Sequence, residues 1–225
     1  MTSVLSAHCC WCQSPFVRYD YPGLTGAWVC PQEACRQRQE QWALTVQLPR
    51  RGVKVIYMPL PKQVEATEAV ESGQYRWSLF GGALGGSKSH FLRWLAYRRC
   101  LQVPRFRVLL LRRTYPELEK THMREAVLEA PLMGAVALLS RNPPVVEFPN
   151  GSVLEFGHCQ DEKHVASYLS AEYALILFDE LVTFEERMVL LIASRARTTK
   201  RGVVPMVVAG TNPGGGGGLW RGGRG

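Results

Sequence analysis

No run of apolar residues in this 225-residue chain approaches the ~18 needed to span a bilayer, which excludes a membrane-crossing helix on hydropathy grounds. The opening Met1-Thr2-Ser3-Val4-Leu5-Ser6-Ala7 lacks the basic start and the length of a secretory signal. A reducing interior is the resulting expectation, so cysteines are read as metal ligands and free thiols, not disulfides. No internal repeat is visible, so a solenoid is not indicated. Acids are in deficit: 19 Asp and Glu against 27 Lys and Arg give a net charge of +8. That balance favours an anionic partner. Nucleic acid leads, although charge alone also fits a membrane surface. With 46% hydrophobic and 20% charged residues, the composition is that of a globular protein, and the length suits one medium domain plus a small module.

Cysteine is present but unevenly placed: five of seven lie in the first 35 residues. Cys9-x-x-Cys12 and Cys30-x-x-x-x-Cys35 flank two apolar stretches joined by Tyr21-Pro22-Gly23. Two short strands around a Pro-Gly turn would bring the pairs together, and four thiolates at one tetrahedral point suit Zn²⁺. Cys10 competes with Cys9 as a ligand, and His8 stays open. A zinc-ribbon-like module over residues 1–40 is the expectation, with the metal supplying most of its folding energy.

The chain is organised around Gly81-Gly82-Ala83-Leu84-Gly85-Gly86-Ser87-Lys88-Ser89. An apolar run, Trp77 to Phe80, precedes it, and His90 to Tyr97 reads as an amphipathic helix after it. Strand, glycine loop and helix form the setting of a phosphate-binding loop. Gly82, Gly85, Gly86 and Ser87 would turn backbone N–H groups toward phosphate oxygens. Lys88 would reach the β- and γ-phosphates of ATP, and Ser89 would hold Mg²⁺. The pattern G-x-x-x-x-G-K-[ST] puts Gly82 at its first glycine and Ser87 where the second belongs.

Trp42 to Leu48 and Val53 to Tyr57 suggest strands, and Pro61 opens a polar helix that Gly73 ends. Gln63 lies where many ATP motors place a glutamine that reads adenine; a solvated first-turn glutamine is the alternative. Phe106 to Leu111 is a buried-strand pattern ending in Arg112-Arg113-Thr114. Glu117 to Glu129 fits a helix, and Val145 to Phe156 a hairpin around Asn150-Gly151. In Ala174-Leu175-Ile176-Leu177-Phe178-Asp179-Glu180, a five-residue apolar run ends in two carboxylates, the Walker B arrangement. Asp179 would hold Mg²⁺ and Glu180 would polarise the attacking water. Glu185 to Ile192 is a helix followed by Arg195 and Arg197. Val203 to Ala209 is a further strand, tipped by Thr211-Asn212, which can sense the γ-phosphate. The glycine tract 214–225 is expected to be mobile, and residues 41–213 form the ATPase unit. Arg112, Arg113, Arg195 and Arg197 are read as DNA contacts on the nucleotide-facing edge.

In that order, the glycine loop, Arg-Arg-Thr, Pro-Asn-Gly-Ser, Leu-Ile-Leu-Phe-Asp-Glu and Ala-Gly-Thr-Asn-Pro-Gly resemble the ATPase domain of a tailed-phage terminase large subunit, from about Tyr57 to Gly214. The resemblance implies an α/β P-loop NTPase, a three-layer sandwich with a mostly parallel sheet. It implies Lys88 and Ser89 as phosphate and Mg²⁺ contacts, Asp179 and Glu180 as Walker B, and Thr211 with Asn212 as the coupling motif. It further implies packaging of double-stranded DNA by a homo-oligomeric ring on a portal protein, with a small terminase subunit, in the host cytoplasm. Leu84 stands where the family often has arginine, leaving Arg195 and Arg197 as candidate trans-acting fingers. The family's RNase H-like nuclease domain is missing, and the glycine tail reads as a truncated or frameshifted end. A helicase-like or DNA-repair ATPase with a zinc module is one alternative. A DNA-binding fragment with little turnover is the other.

Overall fold

The computed structural model describes residues 9–22, 24–48, 52–81 and 87–212. Gly82, Gly85, Gly86, His8 and the 214–225 tract lie outside the described residues.

Strands β1 (Val17–Tyr21) and β2 (Leu24–Val29) form an antiparallel pair, followed by helix α1 (Glu33–Gln41). A second antiparallel pair, β3 (Leu44–Leu48) and β4 (Gly52–Tyr57), packs beside the first. Ala27 and Val29 share one apolar cluster with Val55 and Met58, so a common small core crosses residue 40, the expected domain boundary. Helix α2 (Pro61–Glu71) follows, with Pro61 in its first turn. It ends at Gly73, whose φ of +68° lies where glycine is favoured.

The remaining strands build one seven-stranded sheet. In chain order these are β5 (Trp77–Gly81), β6 (Arg107–Arg112), β7 (Val136–Leu138), β8 (Val145–Glu147), β9 (Val153–His158), β10 (Leu175–Phe178) and β11 (Met206–Thr211). The spatial order is β5-β11-β10-β6-β9-β8-β7. The first five run parallel, and β8 and β7 are antiparallel. Alternation splits the sheet's side chains between two cores. Val108, Leu110, Leu175, Leu177 and Val208 face helix α3 (Lys88–Gln102). Leu109, Leu111, Ile176, Phe178 and Val207 face α6 (Glu162–Tyr168) and α7 (Glu186–Ala193). Helices on both faces of a mostly parallel sheet make the expected three-layer α/β sandwich.

Helix α3 is not amphipathic. Every residue from Phe91 to Tyr97 is buried, including Arg93. A guanidinium at 4% exposure requires a partner, and Glu129 supplies a two-pronged one, at 2.8 Å to Nε and 2.9 Å to Nη2. Tyr97 donates to the same carboxylate at 2.8 Å. This clamp joins α3 to a continuous helical segment. That segment is α4 (Tyr115–Leu118), a π-helical turn over Glu119–Met123, and α5 (Arg124–Glu129).

The Asn-Gly hairpin has the structural role that its sequence suggests. Gly151 turns at φ +78°. Asn150 Nδ2 donates to the carbonyl of Cys100 at 2.7 Å, in the last turn of α3. Ser152 Oγ accepts from Phe106 N at 2.9 Å and donates to the carbonyl of Val103 at 2.8 Å. The hairpin therefore satisfies backbone groups where α3 ends and β6 begins.

Candidate active site

Parallel strands β5, β11, β10, β6 and β9 end on one edge, the place where α/β sheets bind ligands. There the chain presents Gly81, Thr211 with Asn212, Asp179 with Glu180, and Arg112 with Arg113. Strand β11 lies between the glycine-loop strand β5 and the carboxylate strand β10, with Thr211 paired to Gly81 and Ala209 to Phe178.

Ser89 and Asp179 are brought together across 90 residues of sequence. Ser89 Oγ donates to Asp179 Oδ2 at 2.8 Å, and Asp179 is 1% exposed. Lys88, the first residue of α3, lies against Gly210. A Cβ on Gly210 would come within 3.8 Å of Lys88 Cβ and 3.4 Å of Asp179 Oδ1. Ser87 has φ +52° and ψ +29°, the left-handed region, at the position where the loop pattern calls for glycine. The backbone demand survives although the residue does not conform.

Two further side chains converge on Asp179, and the sequence reading names neither role. His122 is fully buried, and its Nε2 lies 2.8 Å from Asp179 Oδ2. A carboxylate only accepts, so Nε2 carries the hydrogen and Nδ1 is the bare nitrogen. Nδ1 is buried and finds no partner among the described residues. Arg112 Nε lies 3.5 Å from Asp179 Oδ2, and its Nη1 lies 2.9 Å from Glu180 Oε2. Neither nitrogen makes an aligned hydrogen bond among the described residues, so Arg112 acts by charge. Glu180 itself has φ +57°, an uncommon conformation for a side-chain-bearing residue, which turns it out of the strand line beside Arg112.

Burial works to raise the Asp179 carboxyl, but His122, Arg112 and Ser89 outweigh it and hold it below the ordinary carboxylate value. Burial also pushes His122 below its ordinary value, against the pull of Asp179. A neutral His122 is the consistent state in so dry a site. The hydrogen bond from Nε2, together with the Arg112 charge, is what keeps Asp179 ionised near neutrality.

Thr211 and Asn212 end β11 between the loop strand and Asp179, and Asn212 Oδ1 is buried without a donor among the described residues. Gln63 is not a solvated glutamine. At 2% exposure, its Oε1 accepts from Tyr57 Oη at 2.6 Å and from Leu60 N at 2.8 Å, closing the start of α2. Its Nε2 has no partner among the described residues. Tyr57 in turn meets His90 and Trp94 of α3.

Arg195 and Arg197 correct the sequence reading. Arg195 O accepts from Tyr173 N at 3.0 Å, and Arg197 N donates to Tyr173 O at 2.9 Å, just ahead of β10. Both residues therefore lie at the opposite edge of the sheet from Asp179. Arg113 stays on the edge that carries Asp179, 3.6 Å from Glu185.

At the other end of the chain, the sulfurs of Cys9, Cys12, Cys30 and Cys35 all lie within 4.8 Å of one another. Cys10 turns away to Glu65 at 3.5 Å. Burial, then the Glu65 carboxylate, pushes its thiol up to about 11. The structure thus puts Cys9, not Cys10, in the cluster. A tetrahedron with Zn–S bonds of ~2.3 Å has edges of roughly 3.8 Å, and the sulfurs, with Cys12 and Cys30 at 3.3 Å and all pairs within 4.8 Å, need only small shifts to either side of it to hold zinc.

The three-layer α/β fold is shared with phage large terminases. The large terminase of a thermophilic bacteriophage superposes with a TM-score of 0.53 at 13% identity, over 68% of this chain and 38% of that one. The HK97 bacteriophage large terminase gives 0.55 at 10% identity, over 78% and 36%. The thermophilic phage's large terminase in complex with ADP gives 0.50 at 14% identity, over 67% and 38%. This chain thus matches a little over a third of the length of those proteins. No family model and no curated protein matches the sequence.

The contact between His122 and Asp179 makes a stability prediction. His122→Leu removes a donor to a buried carboxylate and should cost roughly 1.5–3 kcal/mol in denaturant unfolding, with His122→Gln recovering part of it. Because the folded-state value of His122 is depressed below 6.5, the unfolded chain binds the extra proton. Its contribution is present above that pH and fades as pH falls. The parent should therefore lose more stability than His122→Leu between about pH 7 and 5. His90 and His158 are depressed in the same direction and remain in both proteins. Equal stability and equal pH slopes in parent and variant would contradict the assignment.

Proposed function

We propose that this chain is a Mg²⁺-dependent ATP-hydrolysing domain of the large-terminase type, working on double-stranded DNA. The observation that supports it best is the Ser89–Asp179 hydrogen bond with Glu180 alongside, at the sheet edge where the glycine loop opens. In this reading Ser89 and Asp179 would hold Mg²⁺, which would supply positive charge to the phosphates during hydrolysis. Lys88 and the loop amides of Gly82, Gly85, Gly86 and Ser87 bind the phosphates. Asp179 Oδ2 is already taken by Ser89 and His122, so Oδ1, facing Gly210, is the oxygen left for the metal's water shell. Glu180 accepts a proton from the attacking water, and Arg112 aims its carboxylate. Thr211 and Asn212 report loss of the γ-phosphate along β11. Gln63 Nε2, a buried donor without a partner among the described residues, is the group offered to adenine.

The same reading makes the four-cysteine module a structural zinc site, and the motor a ring acting at a portal with a small terminase subunit in the host cytoplasm. Among the described residues no helix is long and apolar enough to cross a membrane.

Glu180→Gln keeps shape and loses the base. Hydrolysis by the full chain should fall roughly 10²–10⁴-fold while Mg-ATP binding is retained. A variant that turns over ATP at the parent's rate would remove Glu180 from the mechanism.

Elemental analysis should find about one zinc per chain, lost in Cys30→Ser/Cys35→Ser and retained in Cys10→Ser. Metal-free protein purified without chelator, or loss of zinc in Cys10→Ser, would overturn the ligand set.

A further inference from the structure

Among the described residues, the excess positive charge is not in the cysteine module, where Arg18, Arg36 and Arg38 are balanced by Asp20, Glu33 and Glu40 over residues 9–41. Nor is it free on the nucleotide edge, where Arg112 and Arg113 face Asp179, Glu180 and Glu185. It gathers at the opposite edge of the sheet. Arg76 immediately precedes β5, and its carbonyl accepts from Val207 N at 2.9 Å. Lys200 and Arg201 lead into β11. Arg195 and Arg197 flank Ala196, which bridges Tyr173 ahead of β10. Arg105 and Arg107 open β6, and Arg107 O accepts from Ala174 N at 2.9 Å. Lys200 Nζ donates to Pro104 O at 2.8 Å, tying the β11 and β6 ends together.

Seven basic side chains therefore follow the spatial order β5, β11, β10, β6 along one edge. Arg76, Arg105, Arg107, Arg197 and Arg201 are exposed, and Arg195 and Lys200 half-buried. The one ion pair any of them makes among the described residues is Arg107 with Glu155 at 3.6 Å. Glu172, beside Tyr173, is the other acid in these segments. Like charges this close repel one another, so the row costs stability unless an anion meets it. Arg105 adds a backbone cost, with φ +56° on a non-glycine residue.

We propose that this row is a contact surface for the phosphodiester backbone of duplex DNA, on the sheet edge opposite the nucleotide. Four strands spaced ~4.8 Å apart span about 14 Å, roughly four nucleotides of axial rise along one DNA strand. Six of the seven are arginines, whose planar forks bind phosphate oxygens in pairs. Contacts of this kind read no sequence. The proposal rests on the DNA-motor reading for the identity of its partner, but its location rests on the arginine row alone.

The test uses the full chain and a random duplex of about 30 base pairs, with affinity followed by fluorescence anisotropy across roughly 50–200 mM salt. Arg105→Glu/Arg197→Glu/Arg201→Glu should weaken binding at least about tenfold and make the log–log salt slope shallower by about three. Lys62→Glu/Lys120→Glu/Lys163→Glu carries the same charge change at exposed sites elsewhere and should stay near the parent. Parent-like affinity and slope in the arginine variant overturn the proposal. So does equal weakening in the lysine variant, or a parent that binds no duplex. Loss of binding to phosphatidylglycerol vesicles with DNA binding unchanged would reassign the row to a membrane and overturn it too. ATP turnover without DNA, measured alongside, separates the two readings. An inactive parent sinks the ATPase reading, while the DNA arm still decides the row.

Discussion

A carboxylate held at 1% exposure dictates much of this domain. Taking an ion out of water costs several kcal/mol unless donors replace the solvent. Asp179 receives two, from Ser89 at the start of α3 and from His122 on the π-helical turn, and the charge of Arg112 at the end of β6 adds to them. Each donor needs its own support. Arg93 and Glu129 lock α3 to the segment carrying His122, and Arg93 Nη1 also donates to Thr121 O at 3.1 Å, next to His122 itself. The Asn150–Ser152 hairpin fixes where α3 stops and β6 starts. Two elements that look structural thus set the position of the Ser89 and Arg112 side chains around one oxygen.

Strand β11 joins the two charged edges. It begins beside Lys200 and Arg201 and ends at Thr211 and Asn212, with every residue from Met206 to Gly210 buried. A buried parallel strand is stiff because both faces are packed and both flanks are hydrogen-bonded. The Asp179 edge and the arginine row are therefore connected by a buried strand only six residues long.

The parts legible in the sequence are those with a local signature. Leu175 to Phe178 announce a central strand through their apolar run, and Asp179-Glu180 mark its end. The cysteine spacings likewise announce the convergence of four sulfurs from two short windows. What was not legible depends on contacts between distant segments. His122 sits in a polar stretch, Glu119-Lys120-Thr121-His122-Met123, and only the wider π turn and the Arg93–Glu129 clamp turn it inward. The choice between an adenine-reading and a solvated Gln63 stays open in the sequence, because its burial depends on Tyr57. The misplacement of Arg195 and Arg197 had an available remedy. A helix that follows a strand must return the chain to the strand's starting edge before the next parallel strand can begin, so residues after α7 belong opposite Asp179.

The central claim is that Ser89 and Asp179 form a metal site completed by nucleotide. Electron paramagnetic resonance of Mn²⁺, used in place of Mg²⁺, reads that site directly. The account predicts about one tightly held ion per chain when ADP is present, little without nucleotide, and loss of that ion in Asp179→Asn. Mn²⁺ that binds equally well without nucleotide, or that Asp179→Asn holds as tightly as the parent, would contradict it.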